Sequence, residues 1–536
     1  MPDLIFYNGN ILTMDPRQSH ATALAIRSNR ILAVGGDEIV RDLAGRLARP
    51  VDLQGRLVLP GLTDSHFHLY DWSLSQRELQ LADTTSLKDL QSRLEQRVAE
   101  TPAGNWIKGQ GWNETRWDHT ILPTAAELDA VSKNHPVILW RSDLHLAVAN
   151  SRALELAGIT VSTPNPPQGL IDRDPAGKPS GILRELAINL VRQVIPPPNE
   201  EQTAQAIHNA LAGLHRLGLT GVHDFRIMGG ADGPPAFHAY QRLNAAGELS
   251  LRVWMDLPGE RLDEAIALGL RSGFGDDRLR IGHLKYFSDG SQGARTAWML
   301  EPYEDTGKIG LPLTPMEQIA QSIQRADQAG LAVAVHAIGD RANRELIDVF
   351  EEVLKKRRSG DTLPTVPHRI EHVQNIRPED VRRLSELGVV ASVQPIHITD
   401  DIDVVESSVG TRGRFAYPLR DMIDAGVLLT LGSDAPVANP NPLWGIHAAV
   451  TRQRRDDTPS GGWYPRQRLS LAEAVWGYTQ GPALVSGRGA HLGSLTPGKL
   501  ADLIILDRDI YQVNPAEIAR AEVVMTVFDG RVVYEG

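Results

Sequence analysis

Residues 57–70 read LVLPGLTDSHFHLY, an apolar run broken by Pro60-Gly61 and closed by His66-x-His68. Side chains alternate along a strand, so two imidazoles spaced by one residue point to the same face. One metal ion can take both rings, and Asp64 is read as an acceptor that orients a ligating imidazole. A lone pair of this kind is a weak motif. Its meaning depends on whether other strands end in residues of the same sort.

Seven further runs have that form: LGLTGVHDF, SLRVWMDL, RLRIGHLKYFSD, LAVAVHAIGD, HRIEHVQN, VVASVQP and LLTLGSDAP. Helical segments lie between the later ones, among them MEQIAQSIQRADQAG and PEDVRRLSELG, the latter stopping at Gly388 as a helix C-terminus should. Alternating strand and helix implies parallel pairing, and eight such units imply an α/β chain folded as a (β/α)8 TIM-like barrel. Catalytic groups of such barrels sit at the C-terminal ends of the strands.

Outside these runs, DLIFYNGNILTM, ATALAIRSNRILAVG and VDLQGRLVL at one end, and ADLIILD and VVMTVFDGRVVYEG at the other, read as strands, the last hinged at Asp529-Gly530. Two β-rich ends suggest one small β-sandwich built from both termini. About 150 residues separate the first two barrel runs, far more than a βα connection needs, so an insertion is expected there. It holds the helical TSLKDLQSRLEQRVAE and the strand PVILW and reads as an α+β subdomain. The expected organisation is residues 1–58 as the N-terminal segment of the β-sandwich, 59–70 as the first barrel strand, 71–205 as the insertion, 206–484 as the rest of the barrel and 485–536 as the C-terminal segment of the sandwich.

With 23% charged and 42% hydrophobic residues, the 536-residue chain has the composition of a soluble globular protein. A net charge of -11 leaves no basic surface for a phosphate backbone, so no nucleic-acid partner is expected. No run reaches a membrane span and the N-terminus lacks a leader pattern, so a cytoplasmic protein with no membrane partner is expected. A homodimer is left open. The absence of cysteine leaves histidine and carboxylate as the metal-binding chemistry.

The fifth run places His336 near a strand end, the sixth places His372 there and the eighth Asp434. Each alone is ordinary: a core histidine with a hydrogen-bond partner, or a turn aspartate before Ala-Pro. Four histidines and an aspartate at one end of several strands are different, because buried polar groups are costly unless paired, and a metal supplies the pairing. Lys285, among Leu284, Tyr286 and Phe287, would be destabilised as an ammonium beside metal ions. Carbon dioxide would convert it to an anionic oxygen ligand able to bridge two ions.

HFH, the Lys285 strand, His336, His372 and Asp434, in that order, resemble the amidohydrolase superfamily. KYFSDGSQGARTA, HAIGDRAN, RIEHVQ, LGSDAPV and GSLTPGKLADLIILD resemble its YtcJ-like (amidohydrolase-3) branch, which includes N-substituted formamide deformylase. The resemblance implies His66 and His68 as ligands of one divalent ion, His336 and His372 as ligands of a second, and carboxylated Lys285 between them. Asp434 then binds the first ion and acts as general base, and zinc or manganese is the implied metal. Glu185 is the alternative bridge. The implied activity is hydrolysis of a carbon–nitrogen bond other than a peptide bond, in a small-molecule amide, formamide or carbamate, by a metal-activated hydroxide.

Substrate contacts are expected from His145, Ser291, Arg295 and His397, although a loop-anchoring hydrogen bond explains each as well. His223 and Asp224, at the second strand's end, stand on the same footing. Trp106, Trp112, Trp117 and Trp140 crowd the insertion; tryptophans there are ordinarily core, and Trp112 is the candidate for an apolar pocket wall. Two other functions compete. A mononuclear deaminase of the superfamily would place a glutamate shortly after the fifth-strand histidine, where this chain has Gly339 and Asp340. A non-catalytic scaffold would lack metal ligands in sequence.

Overall fold

The computed structural model describes residues 3–43, 48–142, 144, 146–167, 169–227, 233–357 and 362–536. Two compact units are distinguished: residues 1–70 with 207–536, and residues 71–206.

The first unit is built on eight strands in one sheet: β1 (Leu62–Phe67), β2 (Leu219–Asp224), β3 (Arg252–Pro258), β4 (Leu279–Phe287), β5 (Val333–Ala337), β6 (Arg369–His372), β7 (Val390–Val393) and β8 (Leu429–Leu431). Each pairs in parallel with the next in chain order. Closure comes through backbone beyond the β8 ladder: the Asp434 N–H donates to the His66 carbonyl at 2.7 Å, and the His68 N–H to the Ala435 carbonyl at 2.9 Å. The strands read as continuous apolar runs because helices cover the outside of a parallel barrel and side chains fill its inside, burying both faces. Helix Pro378–Leu387 ends where Gly388 takes φ 64, the left-handed stop that glycine adopts without strain.

Strand Leu57–Pro60 lies in a different sheet, between Asn10–Leu12 and Leu503–Leu506. Pro60-Gly61 is thus the crossing from one sheet into the other. Only glycine fits at 61, since a Cβ there would lie 2.3 Å from the Thr220 Oγ1. That six-stranded sheet draws on both ends of the sequence. Phe6, Ile11, Leu24 and Ile26 from one end share a core with Leu503, Ile505 and Val527 from the other. Asp529 and Gly530, at φ 51 and 78, make the left-handed two-residue turn of the last hairpin, Val523–Phe528 with Arg531–Glu535.

The second unit is an α+β body. Its six-stranded mixed sheet runs in the order Gly169–Arg173, Pro179–Glu185, Leu146–Ala149, Val137–Arg141, Ile107–Trp112, Leu79–Gln80. Helix Leu87–Glu100, capped by the Ser86 side chain, buries Leu90 and Leu94 in a core shared with that sheet. Trp112 belongs to this core. It is fully buried, and its indole N–H donates to the Leu139 carbonyl at 3.2 Å, so the expectation that it forms a pocket wall is corrected to an interior role. Among the described residues no helix is long and apolar enough to cross a membrane.

Candidate metal centre

The C-terminal ends of the barrel strands bring together His66, His68, His372 and Asp434, all buried. Asp434 Oδ1 lies 2.8 Å from the His68 Nε2 and 3.3 Å from the His66 Nε2. His66, His372 and Asp434 present ligand atoms within 4.8 Å of one another. The His336 ring lies 4.6 Å from that of His372, and His372 lies 4.8 Å from His66.

What each ring does with its other nitrogen gives the cluster its chemistry. The Nδ1 of His66 is 2.6 Å from the Glu371 carboxylate, that of His68 is 2.7 Å from the Phe225 carbonyl, and that of His372 is 2.8 Å from Gln394 Oε1. His336 is reversed, with its Nε2 3.1 Å from the Gly290 carbonyl. An acceptor facing a neutral imidazole fixes the hydrogen on that nitrogen and leaves the other with a bare lone pair. Burial holds His336 down to about 3 and His372 well below its ordinary value, so neither contributes a proton near neutrality. The Nε2 atoms of His66 and His68 and the ring of His372 close on the Asp434 carboxylate, His68 within hydrogen-bonding distance of it. Three imidazoles and a carboxylate gathered in one buried place are a donor set that suits a divalent ion of the zinc or manganese type.

Lys285 is also in this region. It is 2% exposed, and its Nζ stands 4.7 Å from the centre of the Phe225 ring and 4.9 Å from that of Phe287. Phe225 in turn stacks on His66 at 4.2 Å. Burial lowers the Lys285 ammonium to about 8, against the pull of Glu371 and Asp434. Glu185, the alternative bridge, ends a strand of the other unit at φ 50.

Asp64 does not orient an imidazole. Its Oδ1 accepts the backbone N–H groups of His66 and Ser433, both at 3.0 Å, so it ties β1 to the segment after β8. Orientation of His66 falls to Glu371, which is itself held by Arg369 through contacts of 2.5 and 3.1 Å. Burial works against charge on Glu371, but the Arg369 guanidinium and His66 keep it well below the usual carboxylate range. Glu371→Gln keeps the shape and removes the charge, and is expected to weaken metal binding by about 10–100-fold. Competition titration with a chromophoric chelator measures this; unchanged affinity would deny Glu371 that role.

The candidate substrate residues separate. His397 joins the centre: its Nε2 is 3.9 Å from the Asp434 Oδ2 and has no hydrogen-bond partner among the described residues, and its ring lies near-parallel to His372 at 6.5 Å. Arg295 instead ties its own loop, pairing with Asp305 at 2.7 Å and donating to the Gln292 carbonyl at 2.8 Å. Ser291 accepts from the Ala294 N–H at 3.2 Å in the same loop. His145 lies outside the described residues. His223 accepts from Arg369 at 2.8 Å, while Asp224 takes the Leu69 N–H and the Tyr240 hydroxyl.

A parallel barrel with a histidine and carboxylate cluster at its strand ends defines a metallohydrolase type of architecture. The chain belongs to the amidohydrolase family, whose model matches residues 49–534. It is 34% identical to Protein LONG AFTER FAR-RED 3 of Arabidopsis thaliana, over 99% of this chain and 91% of that one. To the putative amidohydrolase YtcJ of Bacillus subtilis it is 30% identical, over 99% of both. To the N-substituted formamide deformylase of Arthrobacter pascens it is 29% identical, over 100% of this chain and 99% of the other. An uncharacterised metal-dependent hydrolase of Pyrococcus horikoshii superposes with a TM-score of 0.78 at 31% identity, covering 96% of this chain and 99% of that one.

Proposed function

We propose that this chain is a metal-dependent hydrolase that cleaves a carbon–nitrogen bond of the amide, formamide or carbamate type in a small organic molecule. The observation that carries the reading is the convergence of His66, His68 and His372 on Asp434, each ring fixed from behind by a protein acceptor. In this reading His66, His68 and Asp434 hold one divalent ion and His336 and His372 a second. Divalent ions held there would polarise a carbonyl and lower the pKa of water to about 7.

The chain's own groups do the rest. Asp434, at a carboxylate oxygen, accepts the proton of the attacking water and later delivers it to the leaving nitrogen, so that acid and amine depart. His397, near-parallel to His372 with an Nε2 unpartnered among the described residues, offers a polar contact for the substrate. Lys285, lowered to about 8, holds a usable fraction of neutral amine at mildly alkaline pH. Its nitrogen lone pair would add to the carbon of carbon dioxide with loss of one proton, which would give an anionic carbamate, an oxygen donor for a divalent ion held there.

The similarity to an N-substituted formamide deformylase supports the bond type. Against ring deamination stands Asp340, which lies close behind His336 and is engaged by Arg377 at 2.7 Å. A panel of N-substituted formamides, N-acyl amines, carbamates, esters and amino-heterocycles, with zinc or manganese and bicarbonate, tests the reading. Release of amine from the first three classes is expected, enhanced by bicarbonate and, in Lys285→Ala, independent of it. Turnover confined to esters or to heterocycle deamination would overturn it.

A further inference from the structure

At the opposite end of the barrel, where the strands begin, lies a cavity of 40 Å³. Thr63, Thr220, His223 and the start of β3 line it from the barrel, and Arg488 and Asp502 from the C-terminal part of the chain. A water needs roughly 10–15 Å³ by the same measure, so the space takes about three water-sized bodies and excludes a phosphate ester or nucleotide.

Four guanidinium groups, those of Arg252, Arg278, Arg280 and Arg488, line it. The carboxylates paired with them are Asp502 and Asp529 on Arg252, Asp529 again on Arg278, and Asp277 on Arg488. Arg280 donates to the carbonyls of Asp276 and Gly273 at 2.8 and 2.7 Å, and the Asp276 carboxylate accepts the Arg278 backbone N–H at 2.7 Å.

A donor is left over. Arg488 is 5% exposed, and its Nε is buried with no hydrogen-bond partner among the described residues. Guanidinium only donates, so the 2.8 Å contact from Arg369 makes His223 Nδ1 an acceptor and puts the ring hydrogen on Nε2. A buried arginine N–H without an acceptor is rare in folded proteins and calls for an unseen partner. A second, solvent-open cavity of 290 Å³ shares Ala483, Leu492 and Ser494 with the first, and Lys499 lines it beside Arg17, which pairs with Asp15 at 3.0 Å.

We propose that the cavity at the base of the barrel binds a small monoanion, a halide or a carboxylate of formate size, held by the buried Arg488 Nε–H among the guanidinium groups that line it. The site is separate from the metal centre and does not depend on the proposed hydrolysis. Its test uses the metal-loaded protein. Melting temperature is followed as bromide or formate replaces gluconate at constant ionic strength, and crystals grown in bromide are examined for anomalous scattering.

A saturable rise in melting temperature is expected, abolished in Arg488→Met and weakened in Arg280→Gln. An anomalous peak within hydrogen-bonding distance of the Arg488 Nε is expected in the unsubstituted protein, whose crystals decide the matter if the variants fail to fold. Response to bromide alone assigns a halide, and response to formate alone a carboxylate. Water only in the cavity, with a melting temperature indifferent to both anions or an equal rise in Arg488→Met, would overturn the proposal.

Discussion

Asp434→Asn is expected to leave the fold and the metal content in place and to lower kcat by about 10²–10⁴-fold, the range that a positioned proton carrier contributes. The backbone at 434 has φ 62, a left-handed conformation that asparagine tolerates as aspartate does, so the substitution adds no local strain. The segment stays anchored, because the Asp434 N–H still bonds to the His66 carbonyl and Asp64 still holds the Ser433 N–H. What changes is the group 2.8 Å from the His68 Nε2. A carboxylate takes a proton; a carboxamide at neutral pH does not. Steady-state kinetics with metal analysis of the same sample separates loss of the proton carrier from loss of metal. Unimpaired turnover with full metal would remove Asp434 from the role of base.

The second large effect is expected at a residue that binds neither metal nor substrate. Arg369 is fully buried at the start of β6. It meets Glu371 at 2.5 Å and donates to the Ser65 carbonyl at 2.7 Å and the Ser392 hydroxyl at 2.6 Å. It also donates to His223. Arg369→Met fills similar space but leaves the Glu371 carboxylate without its main counter-charge. Breaking one side of a buried ion pair costs about 3–5 kcal/mol, so a marked fall in the denaturant midpoint is expected. Metal affinity should fall as well, because Glu371 fixes the His66 ring. Arg369→Lys should rescue only some of this, since an ammonium cannot reach four acceptors as a planar fork does. A midpoint unchanged in Arg369→Met would show that Glu371 is held by other means.

Much of this is open to reading from residue order. All eight barrel strands are visible as apolar runs, because burial on both faces removes the polar alternation that would blur them. His66 and His68 do share a face, as their spacing requires. The centre's supporting residues are harder to see. Alternation along RIEH sets Glu371 and His372 on opposite faces, yet both serve one site, because His372 leaves the strand at φ 75. No residue type in that run announces the turn. Asp434 has the same hidden feature. The partners of His68 and His336 are backbone carbonyls, of Phe225 and Gly290, which carry no side-chain signature. Asp64 misleads for the opposite reason: proximity in sequence to His66 suggests contact with the ring, whereas in space it meets the backbone. Trp112 illustrates the ordinary fate of a large aromatic in an α+β body, enclosure with its N–H on a carbonyl.

Everything proposed for the active site rests on His66, His68, His336, His372 and Asp434 holding divalent metal that hydrolysis requires. A titration of chelated, metal-free protein with zinc, reading amine release from an N-substituted formamide at each point, tests this without intermediaries. No turnover is expected before addition, and full recovery at two equivalents per chain. Full turnover by the metal-free chain, or none at any zinc level across the whole amide panel, would contradict it.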